Sequence, residues 1–391
     1  MTISQESKLI KMLLVFTLFI FTLQNHGNIR LILTIVPLSL FFLYLIFVSC
    51  DKKSVLGVLK LVLIVCIFSF MSYFSLLTYK NNMGDYTSFE FFIGMMFKII
   101  ILFLFINVMA RNKPLFVFVI EYVLFIHVVF FFIQFFLVYS TNFYIDALEP
   151  FTGEFSRYTW GVRLPIIGET YRPTGFFNEP STYLSVIFPL FCLKFFIDGN
   201  ITRVDKAMLL SLVLSLSFAS IGVVLLFLIA INIKFNRFYK YLPLIMILLL
   251  VSMPFIYDLL SMRSSGNYDA VGIRAELVNR VFGQSFLEVL FGNGPAGIPS
   301  SLADLYSSSL SWTKEGVAAL NDGGLGLLIV MQYGLITLLF FVVYIGYNSN
   351  SINKTICFSL ILVTKIKIAG LVFIFIVLSL IIFGGKEKHE V

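Results

Sequence analysis

Long apolar runs fill most of the chain, at 9–23, 29–48, 55–79, 91–110, 115–140, 179–197, 207–233, 241–260, 321–346 and 355–383. A helix needs roughly 20 predominantly apolar residues to cross a bilayer, and most of these runs reach that length with few charges inside. Polar linkers separate them, too short to fold alone except at 141–178 and 261–320. This spacing predicts an all-α, polytopic integral membrane helix bundle of about 10–12 transmembrane helices, with two large loops and no separate soluble domain. Composition adds weight: 59% of the 391 residues are hydrophobic and 13% charged, and the mean hydropathy is +0.97. An ordinary soluble domain carries about 25% charged residues.

Basic residues orient the runs, because Lys and Arg collect on the cytoplasmic side. Lys8 and Lys11, Lys52 and Lys53, Arg111 and Lys113, and the stretch from Lys194 to Lys206 then lie inside, while 26–28, 80–90 and 141–178 lie outside. A single helix over 207–233 would carry Lys234, Arg237 and Lys240 outward. Two short helices turning near 217–222 return the chain inside and make 261–320 the second external loop; one long tilted helix that breaks the charge rule locally is the alternative. Lys365 and Lys367 interrupt the last apolar stretch and leave the side of the C-terminus open. The lysine-bearing lead and apolar core at the start lack a small-x-small cleavage site, the mark of a first span rather than a removed signal.

The formal charge of +7 sits at span ends instead of on one basic stripe, so topology accounts for it and nucleic acid is not an expected partner. Cys50, Cys66, Cys192 and Cys357 are scattered in or beside apolar segments without paired or metal-ligand spacing. They read as packing residues, and no metal is expected.

Loops on a rigid helical scaffold are where function tends to sit. The first large loop holds Arg157, Arg163 and Arg172; the second holds Arg263, Arg274 and Arg280, with Lys314 as the sole lysine of the two. Arginine is favoured over lysine where a planar fork must grip phosphate or carboxylate, so an anionic ligand is one expectation. Ion pairing is the other: Asp146, Glu149, Glu154, Glu169, Asp269, Glu276 and Glu288 are numerous enough to absorb every arginine.

The stretch YRPTGFFNEPST at 171–182 concentrates the candidate chemistry. Pro180 suits the first helical position, where its missing N–H is not needed, and places Glu179 at the N-terminal boundary of the span, where an ionised acid is favoured. Gly175 permits a turn that brings Arg172 back towards Glu179. Arg172 is then an anion clamp and Glu179 a base or orienter, or the two form a loop-closing ion pair.

In the second loop, Arg274, Leu277 and Val281 fall at the spacing of a short amphipathic helix lying on the membrane surface. Gly292, Gly294 and Gly297 form a tight turn around Pro295; no Lys-Ser/Thr follows, so this is not a phosphate loop. Asn321 and Asp322 stand at the mouth of the next span, where Asp322 caps the helix or serves a site as a carboxylate. Within the bilayer, Lys98 and His127 come out at comparable depth, either as a pair or with His127 as a packing residue among phenylalanines.

These residues together resemble the O-antigen polymerase (Wzy) family, within the polymerase and ligase group that handles undecaprenyl-diphosphate-linked glycans. The resemblance rests on RPTGFFNEPS at 172–181, the serine-rich turn at 215–220, Arg274 and Arg280 upstream of LFGNGP at 290–295, and Asn321-Asp322 leading into YGLI at 333–336. It covers most of 150–346. It implies a glycosyltransferase of the bacterial inner membrane, working on the periplasmic face without metal or other cofactor. The growing glycan is transferred from its lipid diphosphate to the non-reducing end of a new lipid-linked repeat unit, with a flippase and a chain-length regulator as pathway partners. It assigns the diphosphate to Arg172, Arg274 and Arg280, with Arg157 and Arg163 nearby, and the acceptor hydroxyl to Glu179 or Asp322. The chain departs from the family where Phe218 follows Ser217, in place of an arginine. Arg157 and Gly168 keep an arginine-x10-glycine spacing, whereas Arg280 and Gly292 are one residue further apart. Asn321-Asp322 stands where the related ligases carry a histidine, which favours polymerase over ligase. A ligase, or a polymerase for another surface polysaccharide, is the near alternative; a lipid-linked oligosaccharide flippase or transporter, which would show inverted repeats and broken helices, is the more distant one.

Overall fold

A computed structural model describes residues 8–23, 88–110, 112–152, 155–164, 168–232, 270–295, 297–302, 320–349 and 351–383. The expected spans at 29–48, 55–79 and 241–260 lie outside these residues, as do Cys50, Cys66, Glu154, Arg263, Asp269 and Lys314. Apart from a single helical turn at Glu149–Thr152, the described helices are α1 (Lys8–Thr22), α2 (Ser88–Ala110), α3 (Lys113–Thr141), α4 (Pro180–Asp198), α5 (Arg203–Leu214), α6 (Phe218–Asn232), α7 (Ala270–Phe282), α8 (Phe286–Phe291), α9 (Leu325–Asn348), α10 (Ile352–Ser359) and α11 (Leu371–Phe383). Among the described residues, 4 helices are long and apolar enough to cross a membrane: α3, α4, α9 and the 92–110 part of α2. The protein is therefore a mostly helical membrane protein. Among the described residues one small element departs from all-α: β1 (Thr159–Leu164) and β2 (Gly168–Tyr171) pair antiparallel inside the first large loop.

Helix ends follow local chemistry. Asn112 caps α3, its side chain accepting from the Leu115 N–H, and Asn142 closes it in the left-handed region at φ 57°. α4 starts at Pro180 with Glu179 as its N-cap residue, and Gly199 ends it at φ 78°, donating to the Phe195 carbonyl. Thr202 and Asp205 form a reciprocal capping box that starts α5. The 207–233 stretch is broken at 215–217, earlier than the 217–222 turn read from sequence. Ser211 and Ser215 hydroxyls bond back to the Met208 and Leu212 carbonyls, an alternative to helix continuation, and Leu216 takes a positive φ of 50°. The last apolar stretch is also divided. A 3-10 turn at Leu360–Val363 follows α10, and the chain then runs through Lys365 and Lys367 before α11.

The described residues fall into two compact units, one drawn from those within 1–67, 94–226 and 345–391 and the other from those within 68–93 and 227–344. In the first, α4 is the hub, packed against α3, α5, α10 and α11. Its apolar residues cover every face, the signature of a helix enclosed by protein, and 89% of its span is buried. The charged Lys194 near its C-terminal end is fully buried and bonds Asp205 Oδ2 at 2.5 Å. Lys354 reaches the Phe196 carbonyl at 3.0 Å, a cation at a helix C-terminus where the dipole favours it. Cys192 and Cys357 are free and buried, the Cys192 thiol pointing at the Cys357 carbonyl.

In the second unit, α7 packs on a 3-10 turn at Leu320–Gly323 that precedes α9. α9 is broken at Gly334 (φ 83°, ψ 166°). There the 292–294 turn lies against it: Asn293 N–H donates to the Met331 carbonyl at 2.9 Å and Gly294 N–H to the Gln332 carbonyl at 2.8 Å. A Cβ on Gly334 would stand 2.0 Å from the Leu290 oxygen, and one on Gly292 2.5 Å from the Gln332 backbone. Only glycine lets two backbones meet this closely.

Candidate functional site

The first loop is fastened to the C-terminal end of α3. Gln134, fully buried in the run FFFIQFF, donates to the Ile145 and Gly175 carbonyls at 2.8 and 2.9 Å and accepts from the Gly175 N–H at 2.8 Å. One amide thus satisfies both backbone groups of the glycine that turns the chain, at φ 63°. The Tyr139 hydroxyl accepts from Tyr171 N–H and donates to Tyr171 O, and Tyr171 reaches Asn142 at 3.1 Å. Tyr144 and Tyr158 stack at 3.9 Å with 5° between their planes. Tyr144 also shares a hydrogen bond with Thr174 at 2.7 Å, and burial pushes its phenol up to about 12 against opposing bonds from Thr174 and Ser156.

Asp146 organises the far side of the loop. It accepts from the N–H groups of Leu148, Glu149 and Ser156 at 2.9, 3.0 and 2.7 Å. Burial alone would raise its carboxyl; the Ser156 hydroxyl and these N–H groups outweigh that and hold it below its ordinary value. Its grip on Ser156 places the neighbouring Arg157, whose N–H donates to the Asn178 carbonyl at 2.7 Å.

The arginines then divide. Arg157 ion-pairs with Glu179, and Glu179 also accepts from the Ser181 hydroxyl at 2.9 Å. Arg172, expected to turn back on Glu179, instead sends Nη2 to the Arg157 and Thr159 carbonyls at 3.4 and 3.1 Å. The β1–β2 pairing draws the Arg172 backbone against Tyr158 and so brings Arg157, not Arg172, over the start of α4. Arg163 stands opposite Glu169 in the strand register. Glu179 makes no side-chain cap bond to α4; the Arg157 side chain, 70% exposed against 26% for Glu179, lies open to solvent.

The second unit holds Arg274, Arg280 and Asp322. Arg280 bonds Glu276 one helical turn away, Nε to Oε1 at 2.8 Å, and the Ser301 carbonyl at 2.6 Å. Arg274 sits two turns earlier on the same helix and is half-buried. Leu277 is buried against the turn that carries Asn321 and Asp322, its methyl 3.4 Å from where a Cβ on Gly323 would stand. Asp322 belongs to that 3-10 turn, three residues before α9.

Lys98 and His127 do not pair. Lys98 reaches the Ala369 carbonyl at 2.8 Å, and His127 Nε2 bonds Thr22 at 2.8 Å. The Thr22 hydroxyl also lies within hydrogen-bond distance of the Phe19 carbonyl; with its single proton there, His127 donates from Nε2. Its ring stacks on Phe177 at 5.5 Å and meets Phe176 edge-on, which makes it a packing residue beneath the 172–179 turn. Asp146, expected as an ion-pair partner for an arginine, instead organises loop backbone, and Gln134 stands unremarked in the sequence, where a glutamine inside a phenylalanine-rich run was the signal. Comparison with models of known protein families, with curated proteins and with solved structures finds no match.

Proposed function

We propose that the protein is an O-antigen polymerase, a metal-independent glycosyltransferase of the bacterial inner membrane that joins undecaprenyl-diphosphate-linked repeat units at the periplasmic face. The observation that carries this is the Arg157–Glu179 pair at the start of the enclosed helix α4, within the segment that bears the family resemblance. A diphosphate competes with the Glu179 carboxylate for the Arg157 guanidinium, a planar fork suited to either anion. Glu179, released, accepts the proton of the acceptor sugar hydroxyl as that oxygen attacks the anomeric carbon. The new glycosidic bond forms, the bond to the lipid diphosphate breaks, and its electron pair leaves on the diphosphate, whose charge Arg157 stabilises. Single displacement inverts the anomeric configuration.

Arg172, bonded to the Arg157 and Thr159 carbonyls, serves this scheme as a positioning residue for Arg157. Arg163 belongs to the same hairpin. Arg274, Arg280 and Asp322 are assigned to diphosphate and acceptor by the resemblance alone. A transporter reading draws on the break of α9 at Gly334, but the Met331 and Gln332 carbonyls at that break already accept from Asn293 and Gly294.

The test is lipopolysaccharide gel profiling of a deletion strain complemented with the wild type, Arg157→Ala, Glu179→Ala or Arg274→Ala, with membrane levels matched. Core bearing a single repeat unit in the deletion, a ladder from the wild type and a collapsed ladder from the variants support polymerisation. Bare core in the deletion makes the protein a ligase, and a full ladder in the deletion overturns both.

A further inference from the structure

We infer that residues 285–295 and 297–301 form a re-entrant element that dips into the bilayer from the Leu325 end of α9 and rests its outer apolar face on phospholipid acyl chains. This inference is independent of the chemistry proposed above. It goes beyond the expectation of a tight turn at Gly292, Gly294 and Gly297 within the second large loop.

Depth comes first. α9 counts 24 residues across its break at Gly334 and is long and apolar enough to span a membrane; unbroken helix of that length measures about 36 Å, against a hydrocarbon core of about 30 Å. Met331 and Gln332 lie six and seven residues into it, about 10 Å along the axis. With Leu325 set at the lipid boundary, the turn bonded to them sits about a third of the way into the core. Non-helical backbone survives at such depth only where protein satisfies it, and here the two breaks satisfy each other. The Met331 and Gln332 carbonyls, freed because Gly334 leaves the helix, take the N–H groups of Asn293 and Gly294. The Asn293 side chain, 2% exposed, adds bonds to Met331 O and Gln284 Oε1, both at 2.8 Å.

The rim is polar where the chain enters and leaves. Ser285 and Glu288 form the capping box that starts α8, and Arg280 holds the Ser301 carbonyl. On α8 itself the most exposed side chains are apolar: Phe286 is 75% exposed, Leu287 64% and Phe291 59%. On α9, Leu339 and Phe340 are likewise 57% and 69% exposed, as lipid-facing positions of a spanning helix are. A polar collar above an exposed apolar face, tied to the inner part of a span, is the order of groups met on descending from water into lipid.

Single cysteines placed by Leu287→Cys, Phe291→Cys, Leu339→Cys, Glu276→Cys and Asn279→Cys, in the full chain with Cys50, Cys66, Cys192 and Cys357 replaced by serine, are spin-labelled. The protein is reconstituted into phosphatidylethanolamine–phosphatidylglycerol vesicles. Positions 287 and 291 are expected to match 339, with collisions favouring oxygen over a water-soluble nickel chelate severalfold, while 276 and 279 favour nickel. Nickel access at 287 and 291 equal to that at 276 overturns the inference. As a second readout with the native cysteines in place, p-benzoylphenylalanine substituted for Phe291 is expected to give, on irradiation, an intact mass raised by one phospholipid; the same residue substituted for Asn279 is not. Absence of the lipid adduct at both positions overturns the inference even where the cysteine-free protein does not fold.

Discussion

Arg157 and Glu179, 22 residues apart in sequence, meet at the N-terminal end of α4. The pair is solvent-exposed on the arginine side, and exposed ion pairs contribute only about 0.2–1 kcal/mol. Its worth to folding is therefore small. Arg157→Ala should lower unfolding stability by less than about 1 kcal/mol yet remove polymer from the gel profile. Thermal unfolding of the purified variant beside its glycan ladder separates the two effects; a large loss of stability would make the pair a structural closure and nothing more.

Gln134→Leu removes the bonds that satisfy Gly175 and Ile145 while keeping a side chain of similar bulk. Buried backbone groups left unpaired cost about 1–3 kcal/mol each. A fall of about 2–4 kcal/mol in stability is expected, accompanied by faster proteolysis within 141–178. A variant with wild-type protease resistance would show that the loop is held elsewhere.

Asp205→Leu leaves the Lys194 ammonium uncompensated at a site where both side chains have no exposure. Breaking one partner of a buried pair costs about 3–5 kcal/mol, whereas replacing both by apolar residues is often near neutral. The double variant Lys194→Met/Asp205→Leu should therefore recover most of the stability lost in Asp205→Leu, read as melting temperature in detergent. Equal loss in both would locate the defect in the capping box at Thr202.

Asp146 has a depressed folded-state value. A group of this sign stabilises above its ordinary pKa, about 3.9, and loses that contribution as pH falls through the lower folded value. Pepsin should leave 141–178 intact at pH 4.5 and cut it only in more acid solution. Asp146→Asn, which cannot accept at both carboxyl oxygens, should already be cut at pH 4.5. Identical cleavage profiles would remove Asp146 from the loop's support.

Helix positions and starts were legible because they are local. The apolar runs, Pro180 after Glu179, and Gly199 past the end of α4 act within a few residues of where they stand. The breaks were half legible: serines marked the one at 215–217, but Gly334 inside α9 could not be read without Asn293, 38 residues before Met331. Partner choice was not legible at all. Whether Arg157 or Arg172 faces Glu179 depends on strand register, and Gln134 finds Gly175 41 residues away. The sequence held the right residue types for the first loop and no local reason to pair them correctly.

α3 runs for 29 residues, about 43 Å at 1.5 Å per residue, so it is longer than the roughly 30 Å of hydrocarbon it crosses. Gln134, Tyr139 and Asn142 tie Gly175 and Tyr171 to its last turns. The helix therefore works as a ruler: its length sets how far Arg157 and Glu179 stand from its Lys113 end. One added turn would carry them about 5.4 Å further along that axis.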